Sequence, residues 1–325
     1  MTKILVSAIP PAPRSGLPVR SASQSRPRLS ADLIAWLAAR STPRDLWLLR
    51  MLAEHRVLTS VQVTQLAFTS ASTARHRLIE LWRMRAIDRI QPFTASGSAP
   101  MHYVLGDAGA AVLAGRAGIR PADAGYRREH ALAIFASASL AHTVGTNGVM
   151  TALVATARAR QGQSLVTWWS EHRCAAQWGT MARPDAYGRW HEDGYPDTDF
   201  FLEFDRGTET DGRVAAKLAG YARLAASTGI TTPVLFWLPS PGRESAVRAA
   251  LSGSRVPIAT ASPAEGVIAS PADAVWMPAG RDGLRLPLAA LAIPAPSTGA
   301  SRPAAVPSAQ PAPSLTGGPV PPMPP

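Results

Sequence analysis

Two hydrophobic periods divide this chain. Between residues 42 and 84 the apolar side chains recur at helical spacing, as in Leu46, Leu49, Leu52 and Ala53, and again in Ala74, Leu78 and Leu81. Between residues 165 and 238 the pattern changes. Phe200, Leu202 and Phe204 alternate along one run, and Val234-Leu235-Phe236-Trp237-Leu238 is continuously apolar, as expected of a strand covered on both faces. Helices first and strands later imply a mixed α/β chain (α+β overall) with at least one internal boundary. The expected parts are a basic arm over 1–28, a helical domain over 42–116, an α/β domain over 126–290, and a tail over 294–325 whose Pro, Ala, Ser and Gly cannot bury a core.

Charge separates along the same line. Residues 1–120 hold 16 Lys and Arg against 6 Asp and Glu, whereas residues 121–325 hold 17 against 16. A cationic surplus confined to one domain suits a polyanion, because neutralised phosphates release counterions. The lone cysteine, Cys174, excludes an internal disulfide and a multi-cysteine zinc site, so a reducing cytoplasm is the expected compartment. The apolar run Ile4–Ile9 stops at Pro10 and Pro11, too short for a secretory signal, and no segment reaches the length of a bilayer span, so no membrane partner is expected.

Within the first domain, Thr42-Pro43-Arg44-Asp45 has the chemistry of a helix start. A turn at Val57-Leu58 leads to a second helix capped by Thr59, and Ser70 opens a third. The inward stripe of that third helix leaves Ser72, Thr73, Arg75, His76, Arg77 and Glu80 outside. Ile87–Pro92 and Met101–Leu105 then read as two strands about a Ser96-Gly97-Ser98 turn, followed by a helix from Ala108 to Ala114. The order helix, helix, helix, strand, strand, helix resembles winged helix-turn-helix domains. The resemblance implies that the third helix enters the major groove of double-stranded DNA through Ser72, Thr73, Arg75, His76 and Arg77, with Arg89 and the wing turn on the backbone. Arg75 and Arg77 equally suit an ordinary solvated helix face.

In the second domain three pieces carry chemistry. Asp185 follows Pro184 where a strand would begin. Glu203 and Asp205 share one strand face, opposite Phe200, Leu202 and Phe204. On a helix starting near Arg213, Lys217 interrupts the apolar stripe of Val214, Leu218 and Tyr221. It is one of only two lysines, the other being Lys3, in a chain that uses Arg almost everywhere. A compact ammonium suits a crowded acidic pocket where a planar guanidinium does not fit, although simple pairing with Glu203 or Asp205 explains it as well.

Asp185 and Glu203 resemble the metal centre of the PD-(D/E)XK restriction-endonuclease-like superfamily, which implies Mg²⁺ or Mn²⁺ on those two carboxylates and a lysine assisting the attacking water. Asp205 stands where that pattern has Lys, leaving Lys217 as the replacement. Trp168-x-x-Glu171, Arg183-Pro-Asp-Ala186, Phe201-Leu-Glu-Phe-Asp-Arg-Gly-Thr-Glu209 and Lys217-Leu-x-x-Tyr221, following a winged helix, together resemble the replication-relaxation family of bacterial plasmids and mobile elements over about residues 42 to 250. The resemblance implies plasmid DNA and replication or mobilisation proteins as partners. It implies a DNA endonuclease or nickase in which Asp185, Glu203 and Lys217 act and Asp205 and Glu171 support them. The alternative is a nonenzymatic initiator or regulator that keeps the nuclease-like fold as a scaffold.

Overall fold

A computed structural model describes residues 26–95, 97–262 and 269–292. The expected arm lies almost wholly, and the expected tail entirely, outside the described residues. The chain is mixed α/β and divides into two compact units, with the boundary between Thr151 and Ala152.

The first unit opens with α1 (Ala31–Arg40), capped by Ser30 and anchored by the buried Leu37. Helix α2 (Pro43–His55) starts as its sequence requires. The Thr42 side chain accepts from the Asp45 amide at 3.2 Å, and the Asp45 carboxylate accepts from the Thr42 amide at 2.8 Å. The same reciprocal cap joins Thr59 and Gln62 at the start of α3 (Ser60–Ala67). Such a cap stabilises a helix by about 1 kcal/mol. Helix α4 (Ala71–Arg83) buries Ala74, Leu78, Leu81 and Trp82.

Leu58, expected in a turn, and the helix cap Thr59 form a short strand β1, and it joins β2 (Ile87–Ile90) and β3 (His102–Leu105) in an antiparallel sheet of order β1-β3-β2. Leu58 faces Tyr103 and Ile87 faces Leu105 in the register. Helix α5 (Asp107–Arg116) closes this core. Gly109 permits its approach, since a Cβ there would collide with the Ala86 carbonyl.

Residues 120–130, which straddle the gap between the two expected domains, are bound to the first unit. The Tyr126 hydroxyl donates to the Leu105 carbonyl at 2.7 Å. Arg128 donates to the buried Asp88 carboxylate at 2.7 and 2.9 Å, and Arg26 reaches the same carboxylate. Burial alone would raise the pKa of Asp88, but the Arg128 and Arg26 guanidiniums hold its carboxyl below the usual range. Helix α6 (Arg128–Ala133) and the first part of α7 (Leu140–Ala159) also belong here: Ile134 and Leu140 pack with Val57 and Val104, and the Asn147 amide donates to the His55 and Val57 carbonyls. The boundary therefore falls inside α7, later than the start of the second domain expected at 126.

The second unit is built on a six-stranded sheet of order β4-β5-β6-β7-β8-β9. Strands β4 (Gln163–Ser170), β5 (Ala186–Glu192) and β6 (Thr198–Phe204) are antiparallel neighbours. Strands β6, β7 (Val234–Trp237) and β8 (Ile258–Ala261) run parallel, so each connection must cross over. It does so through α9 (Asp211–Thr228) and α10 (Pro241–Ala250). The short β9 (Met277–Pro278) pairs antiparallel to β8. Helix α8 (Glu171–Trp178), capped by Ser170, packs with β4 and β5. The core beneath α8, α9 and α10 joins Trp178, Tyr187, Phe201, Leu218, Tyr221 and Val247. Trp178 meets Phe201 edge to face with centroids 5.1 Å apart.

Candidate functional site

On α4, the first-turn residues Ser72 and Thr73 and the side chains of Arg75 and His76 are exposed, because the buried stripe of Ala74, Leu78 and Leu81 takes the opposite face. Neither Arg75 nor His76 has an ion-pair partner among the described residues. Arg77 differs. Its guanidinium donates to the buried Asp45 at 2.9 Å through Nε and to Glu80 at 2.7 Å, so the side chain that the sequence suggested for DNA is committed to joining α4 to α2. Arg89 also has an internal use, lying 4.1 Å above the Trp82 ring. It ties β2 to the end of α4.

The carboxylates of the second unit gather at one end of the sheet. Asp185 donates its amide to the Leu202 carbonyl at 3.0 Å, one step beyond the Ala186–Leu202 register pair, which sets it opposite Glu203. Its carboxylate accepts from the Phe204 amide at 2.8 Å. Ser170 pairs with Ala186, so Glu171, the next residue, begins α8 at the same level, with its side chain exposed. Glu171, just after β4, and Asp185, just before β5, thus lie level with Glu203 of β6.

Glu203 is buried under α9. Its two oxygens accept from the Lys217 ammonium at 2.8 Å and from the Tyr221 hydroxyl. Lys217 also bonds Glu209 at 3.0 Å. Helix spacing puts Lys217 and Tyr221 one turn apart on one face. Gly220 lets that face descend, since a Cβ there would strike the Met181 carbonyl.

Burial, reinforced by the charge of Asp185, raises the Glu203 carboxyl to about 8 against the pull of Lys217 and Tyr221. Burial disfavours the Lys217 ammonium, but the charges of Glu203 and Asp185 more than offset this and keep it protonated. Asp205 does not join the group. Arg243 of α10 holds its carboxylate at 2.7 Å and the Gly207 amide donates to it at 2.6 Å, so the neighbour expected to support Glu203 fastens α10 to the turn after β6.

Among the described residues no three His, Cys, Asp or Glu side chains are grouped as a metal cluster. What is present is a pair, Asp185 and Glu203, with a lysine between acids. Sequence reasoning missed Tyr221 and Glu209 as members of this network, although both lie inside the motifs singled out above.

Comparison with known families matches replication-relaxation over residues 49–235, more than half of the chain. The chain belongs to the replication-relaxation family. The match runs from α2 into β7, and so spans α4 and the Asp185, Glu203 and Lys217 positions together. Family membership associates the chain with replication of plasmids or mobile elements. No curated protein and no solved structure matches it. No helix among the described residues is long and apolar enough to cross a membrane.

Proposed function

We propose that this replication-relaxation protein binds double-stranded plasmid DNA through a winged helix-turn-helix formed by α2, α3, α4 and the β2–β3 hairpin. The observation that carries the reading is the outward face of α4, where Ser72, Thr73, Arg75 and His76 are exposed and neither Arg75 nor His76 has a carboxylate partner among the described residues. A short helix with small residues in its first turn can approach base edges closely, and Arg75 can meet phosphate. Arg77, engaged by Asp45 and Glu80, is left out of this proposal.

In a gel-shift titration of the full chain, Arg75→Ala should weaken duplex binding about tenfold and lower the log–log salt slope by about one. Unchanged affinity at both low and high salt would remove α4 from the interface.

A second reading, that the protein also cuts or nicks DNA, draws on the pairing of Asp185 with Glu203 beside Lys217. The donor chemistry fits a Mg²⁺ or Mn²⁺ ion, which takes one or two carboxylates and completes its shell with water and phosphate. Such an ion supplies Lewis acidity and a more acidic bound water. Asp185 and Glu203 would hold it. Lys217, now hydrogen-bonded to Glu203, would release that carboxylate and remain as a positive charge near the phosphodiester. The nonenzymatic alternative assigns Lys217 to neutralising Glu203 alone.

Thermal unfolding with added Mn²⁺ or Mg²⁺ separates the two. On the nuclease reading the midpoint rises with cation concentration, Asp185→Ala abolishes the rise, and Lys217→Ala keeps it. A wild-type protein indifferent to both cations would leave the scaffold reading in place.

A further inference from the structure

The hairpin joining β2 to β3 carries the most exposed large apolar side chain among the described residues: Phe93, at 60 % of its free accessibility. Single exposed apolar residues are common, but the setting of this one is specific. The loop is braced, with the Gln91 amide donating to Ser98 Oγ at 2.7 Å and to the Ala99 carbonyl at 2.9 Å, and the Thr94 hydroxyl bonding the Gly97 carbonyl at 3.2 Å. The ring is therefore presented on a framework with its own side-chain bonds.

The surrounding sequence is free of negative charge. From Ile90 to Gly106 there is no Asp or Glu, and residues 91–101 carry no formal charge at all. At the base of the hairpin Arg89 lies over Trp82, which places β2 beside the end of α4 that bears the exposed Arg83. A polyanion meets no repulsion here, yet the hairpin tip offers no cation to pair with phosphate. What it offers is an aromatic ring.

We infer that Phe93 is an apolar wedge that enters the base stack of duplex DNA when the hairpin lies along a groove. The inference rests on the DNA-binding reading of α4 and specifies a different kind of contact. Side chains of this type partly unstack a base step and kink the duplex, in exchange for added contact with the protein. An aromatic side chain stacked on a base contributes without releasing counterions.

The test uses the full-length protein, a mixed-sequence duplex, and the same duplex with 2-aminopurine at successive steps. Wild type should brighten 2-aminopurine at one or two steps. Phe93→Ala should abolish that signal and weaken binding on the order of tenfold with the salt slope unchanged. Phe93→Leu should recover part of both. Phe93 is exposed, so these variants should keep the wild-type melting temperature. Wild-type affinity in Phe93→Ala together with a silent 2-aminopurine probe would overturn the wedge while leaving DNA binding intact. Should the wild type self-associate on sedimentation and Phe93→Ala abolish this with DNA binding untouched, the wedge would be overturned in favour of a protein contact. A wild type that binds neither duplex would sink the wedge and the DNA-binding reading together.

Discussion

Glu203→Gln should flatten the fall in stability that the wild-type protein shows as pH rises from about 4.5 to about 8. In the folded protein the Glu203 carboxyl is raised to about 8, first by burial and then by the charge of Asp185, while in the unfolded chain it returns to an ordinary value near 4.5. Between these limits the folded state holds a proton that the unfolded state has released. Its contribution is therefore fully present below pH 4.5 and lost as pH climbs through 8. Each pH unit inside the window is worth about 1.4 kcal/mol at most, which makes this a large effect for one side chain. Glutamine cannot ionise. Its carbonyl can still accept from Lys217, and its amide can face the Tyr221 oxygen, so the shape of the network survives. Chemical denaturation at pH 5, 6.5 and 8 (values chosen from that window) should show the two proteins converging or crossing as pH rises. Parallel profiles would mean that Glu203 enters the folded state already ionised.

Asp45→Ala should be among the most damaging single changes in the first unit, costing about 3 to 5 kcal/mol. One buried carboxylate there serves two purposes: it completes the cap of α2 with Thr42, and it receives Arg77 from α4. Removing it leaves a partly buried guanidinium without its main partner and an amide without its acceptor, both more costly than a lost surface pair. Burial opposes ionisation of Asp45, yet the hydrogen bonds from Arg77 and Thr42 outweigh it and hold the carboxyl below the usual range. This stabilisation is therefore present above about pH 3.8 and lost as pH falls through the depressed folded value. Equilibrium denaturation near neutral pH gives the direct comparison. A loss no larger than that of Glu80→Ala, which removes only the exposed partner of Arg77, would show that the Asp45 pair is dispensable.

The regular elements were legible where side-chain period and capping chemistry agreed. Thr42-Pro43 starts α2, Thr59 starts α3, and Ser70 starts α4, because a hydroxyl placed before a helical stripe has one dominant use. The alternation Phe200, Leu202, Phe204 reported β6 because side chains two apart on a strand must share a face. What escaped was what depends on partners distant in sequence. Leu58-Thr59 is too short to show a period, and it becomes a strand only because β3 lies beside it. Helix α1 carries only Ser30 and Leu37 as signals, too few beside the basic arm to mark a helix.

The site divided in the same way. Asp185, Glu203 and Lys217 were found by residue type and spacing, and they do come together. Arg77 and Asp205 were assigned from strand and helix faces alone. A face says where a side chain starts, not which charge it meets, and their partners, Asp45 and Arg243, lie 32 and 38 residues away along the chain. Tyr221 read as an apolar stripe residue because its ring is one; its hydroxyl reaches Glu203 only after the helix has docked.

The double clamp on Asp88 bears on how this protein can be dissected. Arg26 comes from the segment that enters the first unit and Arg128 from the segment that leaves it, and both close on one buried carboxylate of β2. A fragment trimmed to its visible motif, from Thr42 to Arg120, would keep the anion and discard both counterions. It would also lose Asn147, which satisfies two carbonyls at the end of α2. The first unit is thus wider than the stretch from Thr42 to Arg120 on both sides, and a fragment meant to fold alone should carry those flanks.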